Sequence, residues 1–264
     1  MKKLLSLLAV VLMALSLVAC SKSEETADDS STDSDTVTIT VGMSPDYPPY
    51  ESLDTNGNLV GFEVEMLNEM ETLLSQSEGK TYKFDIVQMS FDNIITQIQG
   101  KQLNIGVSGF TWSEDRVGAV AFSEPYANSK QVMLVLADST YTSSDDLQGQ
   151  PIAGQTGTTG YSVAVDTFGE ENVTSVQNLL DMIPGLDSHQ YEAIVTDSGV
   201  AENYAATGNY KVLDESLVDE QNYIVVDIDD EDTLAIINKG IELFMASDKY
   251  GELCETYGLS KIEG

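Results

Sequence analysis

The stretch TYKFDIVQMSFDNIITQIQGKQLNIGVS, residues 81–108, decides the fold. Over 82–86, apolar residues alternate with charged ones, which is the pattern of a half-buried strand. Isoleucines then recur at helical spacing over 94–98, and Gly100 ends that run. Residues 104–108 return to a strand pattern. Strand, helix and strand in this order predict an α/β fold in which helices pack on a sheet.

The same alternation extends in both directions from this stretch. On the N-terminal side, residues 37–41 predict a strand, the Asn-Gly pair within 54–58 predicts a hairpin turn, and apolar spacing over 66–74 predicts a helix. On the C-terminal side the pattern repeats in a second block. The strands predicted there are 131–137, 151–154, 191–196 and 222–226, and the helices are 199–206 and 234–257.

Residues 1–19 have the features of a secretory signal. Two lysines precede an apolar run that is too short for a comfortable membrane span. The run ends in LVAC, residues 17–20, which resembles the lipobox of bacterial lipoproteins, although an ordinary signal with a chance cysteine is the alternative. We therefore predict that Cys20 is lipidated and that its two acyl chains anchor the protein. Residues 20–35 are acidic and almost without apolar side chains, which predicts a disordered tether.

The composition is strongly acidic. The chain of 264 residues carries 44 Asp and Glu against 12 Lys and Arg, for a net charge of −32. Such a charge argues against binding nucleic acid or being attracted to anionic lipid headgroups. General solubility in an exposed location explains it, so the acidity says little about a substrate.

Metal, cofactor and triad chemistry are not expected. After lipidation of Cys20 the remaining thiol is Cys254, which has the setting of a packed helical cysteine and leaves no disulfide within the chain. His189 is the only histidine and lies in a polar stretch, so a Ser/His/Asp triad is implausible. The acid-rich segment 227–232 lacks the glycine and the glutamate that a calcium loop needs. We predict no catalytic residue, no metal site and no cofactor.

Several stretches are candidates for ligand binding, and each has a plainer alternative. QTGTTG, residues 155–160, has glycines that allow close backbone approach, and it precedes a predicted helix whose start attracts anions. The alternative is an ordinary turn between a strand and a helix. Asp197 follows a buried strand and either caps a helix or holds a cation at the strand's carboxyl end. Tyr47 either lines a pocket or covers the core. Arg116 is the only arginine of the chain, directly after VSGFTWSED, residues 107–115.

Together these stretches resemble the extracellular solute-binding proteins of amino-acid ABC importers, family 3. The resemblance covers essentially all of 36–257, and four segments carry it: 41–67, 105–126, 154–164 and 191–205. It implies a two-lobed α/β fold with two crossovers that closes on a ligand like a flytrap. Lobe 1 would comprise 36–124 plus 226–264, and lobe 2 would comprise 125–225.

The resemblance also implies roles for individual residues. Arg116 matches the arginine that pairs with the ligand's α-carboxylate, for which its planar fork is suited. Asp197 matches the acid that holds the α-ammonium, in the other lobe. The remaining positions that match the family's ligand contacts are Tyr47, Phe91, Ser108, Gly109, Thr111, Thr158 and Thr159. The chain departs from the family at Trp112, where a small or aliphatic residue is usual, and at Tyr50, where phenylalanine is common.

The function implied is capture of a free amino acid by a binding protein, not an enzyme. Its partners would be an ABC permease and, through the lipid on Cys20, the extracellular face of the cytoplasmic membrane of a Gram-positive type bacterium. We expect a monomer. With no lysine in the motifs, an acidic ligand is disfavoured, and we lean to a neutral polar or aromatic-compatible amino acid. A cationic ligand would need an acid or aromatic box, with Asp46 and Glu51 as candidates. Alternatives are a sensor module and a dehydratase on the same fold.

Overall fold

The computed structural model describes residues 36–263 and has the predicted α/β fold. The strands, in chain order, are β1 (Thr36–Met43), β2 (Asp46–Tyr47), β3 (Glu51–Leu53), β4 (Leu59–Val60), β5 (Thr81–Gln88), β6 (Ile105–Gly106), β7 (Val120–Phe122), β8 (Ala127–Leu136), β9 (Ile152–Gln155), β10 (Val173–Val176), β11 (Ala193–Asp197), β12 (Tyr210–Asn222) and β13 (Val225–Asp227). The helices are α1 (Phe62–Glu78), α2 (Phe91–Gln99), α3 (Thr159–Phe168), α4 (Leu179–Asp187), α5 (Ser198–Ala205), α6 (Glu231–Met245) and α7 (Asp248–Tyr257). The predicted signal peptide, Cys20 and the acidic tether lie outside the described residues.

Two five-stranded sheets form the framework. The first has the strand order β5-β1-β6-β13-β7, with β1 parallel to β5 and β6, and β13 antiparallel to β6 and β7. The second has the order β10-β9-β11-β8-β12, with β9 parallel to β10 and β11, and β8 antiparallel to β11 and β12. A small antiparallel sheet of β2, β3 and β4 carries the predicted hairpin turn at 54–58.

The chain crosses between the two large sheets twice. It leaves the first sheet after β7 and enters the second at β8, and it returns between β12 and β13. These crossings lie beside the expected lobe boundaries at 124/125 and 225/226, so sheet membership supports the division into lobes, which stays a prediction. The continuous strand predicted over 222–226 is wrong. The chain changes sheets there, so Tyr223 and Ile224 donate their N–H groups to the Phe110 carbonyl and the Ser123 hydroxyl instead of to a strand partner.

The helices pack on the sheets through the apolar positions that the sequence indicated. Met66, Leu67, Met70 and Leu74 of α1 are buried, and α1 packs against both β5 and α6. Cys254 is buried in α7, as predicted, and it is a free thiol. Within 36–263, no helix is both long enough and apolar enough to cross a membrane.

Candidate ligand-binding site

A pocket lies between the two large sheets, at the carboxyl ends of β1, β6, β9 and β11. This is the position where open α/β sheets bind ligands. Every ligand-binding residue predicted from the sequence lines it, together with two others. The lining residues are Asp46, Tyr47, Phe91, Ser108, Gly109, Thr111, Arg116, Gln155, Thr158, Thr159 and Asp197.

Arg116 is a buried cation held by neutral groups. It lies in a short 3₁₀ turn, and its guanidinium carbon is 5.5 Å from the ring centre of Phe91 and 5.2 Å from that of Phe110. Nη1 donates to the Thr111 carbonyl, and Nη2 donates to the Gly157 carbonyl at 2.9 Å. Burial lowers the pKa of Arg116 to about 10. No ion pair among the described residues includes it, so its charge remains available to an anion in the pocket.

Asp197 is the corresponding buried anion on the second sheet. It accepts hydrogen bonds from the hydroxyls of Tyr47 and Ser129, each at 2.6 Å, and from Gln131 Nε2 at 3.2 Å. Burial raises its pKa, and these donors act in the opposite direction. Asp197 stands at the N-cap position of α5 without a side-chain capping bond. Its carboxylate is therefore directed to the pocket wall and not to the helix, which favours the cation-binding alternative.

The start of α3 brings backbone donors to the pocket. Thr158 is its N-cap, and its hydroxyl oxygen accepts from the Tyr161 N–H at 3.2 Å. The N–H groups of Thr159 and Gly160 belong to the first turn, where a helix supplies no carbonyl partner and where anions are favoured. The Thr159 hydroxyl is 2.9 Å from the Thr111 hydroxyl, which comes from the first half of the chain. QTGTTG thus combines a turn with a helix start that faces Arg116.

Ser108 and Gly109 line the pocket, but their polar groups are engaged elsewhere. The Ser108 hydroxyl donates to Glu51 at 2.6 Å, and the Gly109 N–H donates to Glu63 at 2.8 Å. The Gly109 carbonyl accepts from Asn222 Nδ2 at 3.3 Å, and its second lone pair suits an ammonium group. Gly109 also has φ of 58°, and a Cβ there would meet the ring of Tyr47 at 3.3 Å.

Glu51 and Glu63 form a buried carboxyl pair that sequence reasoning missed as a pair. Both are fully buried, and each has one oxygen, Oε2, with no partner among the described residues when both groups are taken as carboxylates. Burial raises the pKa of Glu51, and the neighbouring Glu63 raises it further; burial also raises the pKa of Glu63. We expect the two carboxyl groups to share one proton. That proton would give both unpartnered Oε2 atoms a hydrogen-bond partner and would remove the repulsion between two negative charges.

Asp46 and Gln155 complete the pocket; the sequence offered Asp46 only as a candidate acid for a cationic ligand, and Gln155 only as the first residue of QTGTTG. Asp46 accepts from the Ser44 hydroxyl at 2.7 Å, from Gln155 Nε2 at 2.9 Å and from the Leu179 N–H at 3.0 Å. Burial raises the pKa of this carboxyl. Asp46 directly precedes Tyr47, and Gln155 begins the QTGTTG motif, so their places in the chain were the available signals.

The two departures from the family lie outside the pocket. Trp112 is 54% exposed and lines the open cleft that adjoins the pocket. Tyr50 is fully buried, and its hydroxyl donates to Asn222 Oδ1 at 3.1 Å. Neither side chain is among those that line the pocket.

The charged side chains that line the pocket are one cation and two acids. Arg116 is the cation that lines it, and Asp46 and Asp197 are the anions. If Arg116 faces an α-carboxylate and Asp197 an α-ammonium, Asp46 remains as a further acid. Arg116 and Asp197 come from opposite sides of the pocket, so one bound molecule can contact both.

The chain is similar in sequence and in structure to known solute-binding proteins. The sequence profile of bacterial extracellular solute-binding proteins, family 3, matches residues 39–260. A probable histidine-binding protein of Neisseria gonorrhoeae is 28% identical over 82% of this chain and 81% of its own length. The arginine-binding extracellular protein ArtP of Bacillus subtilis is 29% identical over 77% of this chain and 76% of its own length. The crystal structure of a mutant ArgBP from T. maritima superposes with a TM-score of 0.74 at 32% identity, covering 84% of this chain and 95% of that one.

Proposed function

We propose that this chain, which belongs to the bacterial extracellular solute-binding proteins of family 3, captures a free amino acid and delivers it to an ABC importer. The observation that carries the proposal is the position of Arg116 and Asp197, two buried and oppositely charged residues, on opposite sides of one pocket. A zwitterion loses its hydration on entering such a site, and two opposite charges at fixed positions replace that hydration. Closure of two lobes over the ligand follows, because contacts from both sides favour the closed state.

We propose that the ligand is a cationic L-amino acid, with arginine and histidine as the first candidates. The acidic surplus at Asp46 supports a positive side chain, and the rings of Tyr47 and Phe91 supply apolar walls for its stem. The names of the relatives point in the same direction. A neutral or aromatic side chain, which the sequence favours, is less well supported, since it leaves Asp46 without a positively charged partner.

The ligand site proposed is the full predicted set with Asp46 and Gln155 added. Arg116, Thr159 and the first turn of α3 hold the α-carboxylate, while Asp197 and the Gly109 carbonyl hold the α-ammonium. Chemistry on the bound molecule is not part of the proposal. A sensor role and dehydratase activity remain as alternatives, and conversion of prephenate or arogenate to an aromatic product would establish the latter.

Anchoring at the membrane is part of the proposal. Cys20 would carry the lipid, residues 20–35 would act as the tether, and the monomeric binding domain would lie at the extracellular face of the membrane. Metabolic labelling of the full chain with a fatty-acid analogue, compared with Cys20→Ala, tests this step. Incorporation into both proteins, or into neither, would contradict lipidation at Cys20.

Thermal unfolding in the presence of each of the twenty standard L-amino acids tests the binding function. The protein should first be unfolded and refolded to remove any ligand carried through purification. A ligand at 1,000 times its dissociation constant stabilises by about 4 kcal/mol, which gives a readily measured rise in Tm. We expect such a rise with arginine or histidine. Cooperative unfolding with no shift for any of the twenty would refute amino-acid binding.

A further inference from the structure

Glu220 is a third carboxylate beside the Arg116 end of the pocket. It lies on β12 and lines the open cleft that Arg116 and Thr159 also line. Its Oε2 accepts from the Thr159 hydroxyl at 3.0 Å and from Gln131 Nε2 at 2.9 Å. The side chain is partly buried. Sequence reasoning did not single it out, and it belongs to a long strand that the sequence pattern did not predict.

The contacts of Glu220 place it in one network with the α-carboxylate site. Gln131 Nε2 donates to Glu220 and also to Asp197 at 3.2 Å, so a single amide group joins the two acids. The Thr159 hydroxyl, which bonds Glu220, belongs to the residue that begins α3. A ligand carboxylate bound by Arg116 and Thr159 would therefore lie next to the Glu220 carboxyl, which is negatively charged when ionised. Two carboxylates close together do not both remain ionised without a cost in free energy.

We propose that Glu220 couples ligand binding to the uptake of one proton, so that the complex contains a neutral Glu220 carboxyl. The inference rests on the proposed function, because it needs a ligand carboxylate at Arg116. The balance is simple: one proton moves from solvent to a Glu220 oxygen, and no other bond forms or breaks. A neutral carboxyl has a hydroxyl donor, which it can turn toward the ligand carboxylate while its other oxygen still accepts from Gln131.

The charged surroundings of Glu220 favour this exchange. Asp197 faces it from β11, and Arg116 faces it from the 3₁₀ turn on the other side of the cleft. Two more acids of the cleft, Asp92 and Asp115, come from the first half of the chain. On the sheet, Asp219 precedes it on the same strand and is opposite Lys130 of β8.

The pKa of Glu220 agrees with the geometry. Burial and the charge of Asp197 raise it, the bonds from Gln131 and Thr159 and the charge of Arg116 lower it, and the net result is a pKa of about 7. A ligand carboxylate would add another negative charge and would also engage Arg116, and both effects raise the pKa of Glu220. Above pH 7 the free protein has this group mostly ionised, so binding takes up a proton. Well below pH 7 the group is already neutral, and the uptake disappears.

Isothermal titration calorimetry in two buffers of different ionisation enthalpy measures the protons exchanged on binding. The full folded protein is titrated at pH 8 and at pH 5.5 with L-arginine, or with whichever of the twenty standard amino acids raises Tm most. At pH 8, wild type should take up about one proton more than Glu220→Gln, which is a neutral isostere. At pH 5.5 the two proteins should agree. Any proton released by Asp197 on pairing with the ammonium is common to both and cancels.

Asp219→Asn is the matched control, since it removes one negative charge from the adjacent, exposed position of the same strand. It should take up as many protons as wild type. The affinity of wild type should fall as pH rises above 7, by up to about tenfold per pH unit, while Glu220→Gln should lack this part of the loss.

Equal proton uptake by wild type and Glu220→Gln at pH 8, with binding intact, would overturn the inference and leave the proposed function standing. If Asp219→Asn lost as much proton uptake as Glu220→Gln, the inference would also be overturned, because removal of any nearby negative charge would then explain the loss. Absence of binding by wild type to all twenty amino acids would instead overturn the proposed function, and this inference with it.

Discussion

Arg116 shows how a single side chain can be prepared for an anion before one arrives. Two phenylalanine rings and two backbone carbonyls hold its guanidinium, and none of these groups neutralises it. The buried acids behave in the opposite way. Asp197 and Asp46 each have several donors, whereas Glu51 and Glu63 face each other without a cation. At the residue scale, function therefore depends on which charges are left unpaired.

Arg116→Ala should weaken ligand binding at least a hundredfold. Removing one partner of a buried, hydrogen-bonded charge pair costs about 3–5 kcal/mol, because the ligand carboxylate is left buried and unpaired. Arg116→Lys should recover only part of the loss, since an ammonium keeps the charge but not the planar fork. Calorimetric titration measures both variants. An alanine variant that binds within threefold of wild type shows that Arg116 does not hold the ligand.

Glu51→Gln should gain stability relative to wild type when the pH is raised from 5 to 8. The pKa values of Glu51 and Glu63 are raised in the folded state, so the folded protein favours the protonated forms. Stability is then highest near the ordinary glutamate pKa of about 4.3 and falls as pH rises through the raised values. Glutamine keeps the shape, donates to Glu63 and does not ionise.

Urea unfolding at the two pH values measures this change, with Glu69→Gln on α1, the helix of Glu63, as the control. Glu69 is only partly buried and lies outside the pair, so its substitution should leave the contribution of the pair unchanged. Identical pH dependence in Glu51→Gln and wild type would contradict a shared proton in the pair.

At the scale of elements, the unit formed by β9, the QTGTTG turn and α3 delivers the helix start to the pocket. The unit depends on close packing at Gly154. A Cβ added there would lie 2.8 Å from the Tyr161 Cα, which is closer than such atoms approach. The glycine thus lets α3 lie against its strand, and the position of the helix start depends on that contact. At Gly157, φ of 80° supplies the turn between them.

Gly154→Ala should destabilise the fold by about 1–3 kcal/mol and should also weaken ligand binding. The added methyl group meets backbone, which cannot move without displacing the start of α3. Gly251→Ala in α7 is the control, because its Cβ would meet only the flexible end of Lys261 and because alanine favours a helix. Thermal unfolding and calorimetry compare them. Loss of stability with unchanged affinity would separate the packing at Gly154 from the site.

At the scale of the whole molecule, the two sheets touch through hydrogen bonds that close the pocket. Tyr47 donates to Asp197, Gln155 donates to Asp46, and Arg116 donates to the Gly157 carbonyl. At the surface, Gln177 Nε2 is 3.2 Å from Asp92 Oδ2. Opening the pocket breaks these contacts together, while the two crossings between the sheets remain intact. We therefore expect the molecule to open as two bodies about those crossings.

A short bismaleimide cross-link between Asp92→Cys and Gln177→Cys should hold the pocket closed. Both positions are at the exposed edge of the cleft and outside the ligand-lining set, so the cross-link restrains opening without altering contacts to the ligand. With the cross-link formed, radiolabelled amino acid should exchange much more slowly than in the untreated protein. The single variants are the controls. Fast exchange in the cross-linked double variant would show that ligands enter without separation of the two halves.

The sequence by itself determined the α/β class, many of the strands and helices, and nine of the eleven residues that line the pocket, because periodicity, turn residues and motif positions are local properties. Tertiary structure alone decided what the buried acids do. Gln155 meets Asp46 across 109 positions of the chain, Ser108 meets Glu51 across 57, and Thr159 meets Glu220 across 61. A carboxyl group's charge state depends on the donors, acids and burial around it. Those neighbours come from distant segments, so no local pattern distinguishes these acids from the many on the surface.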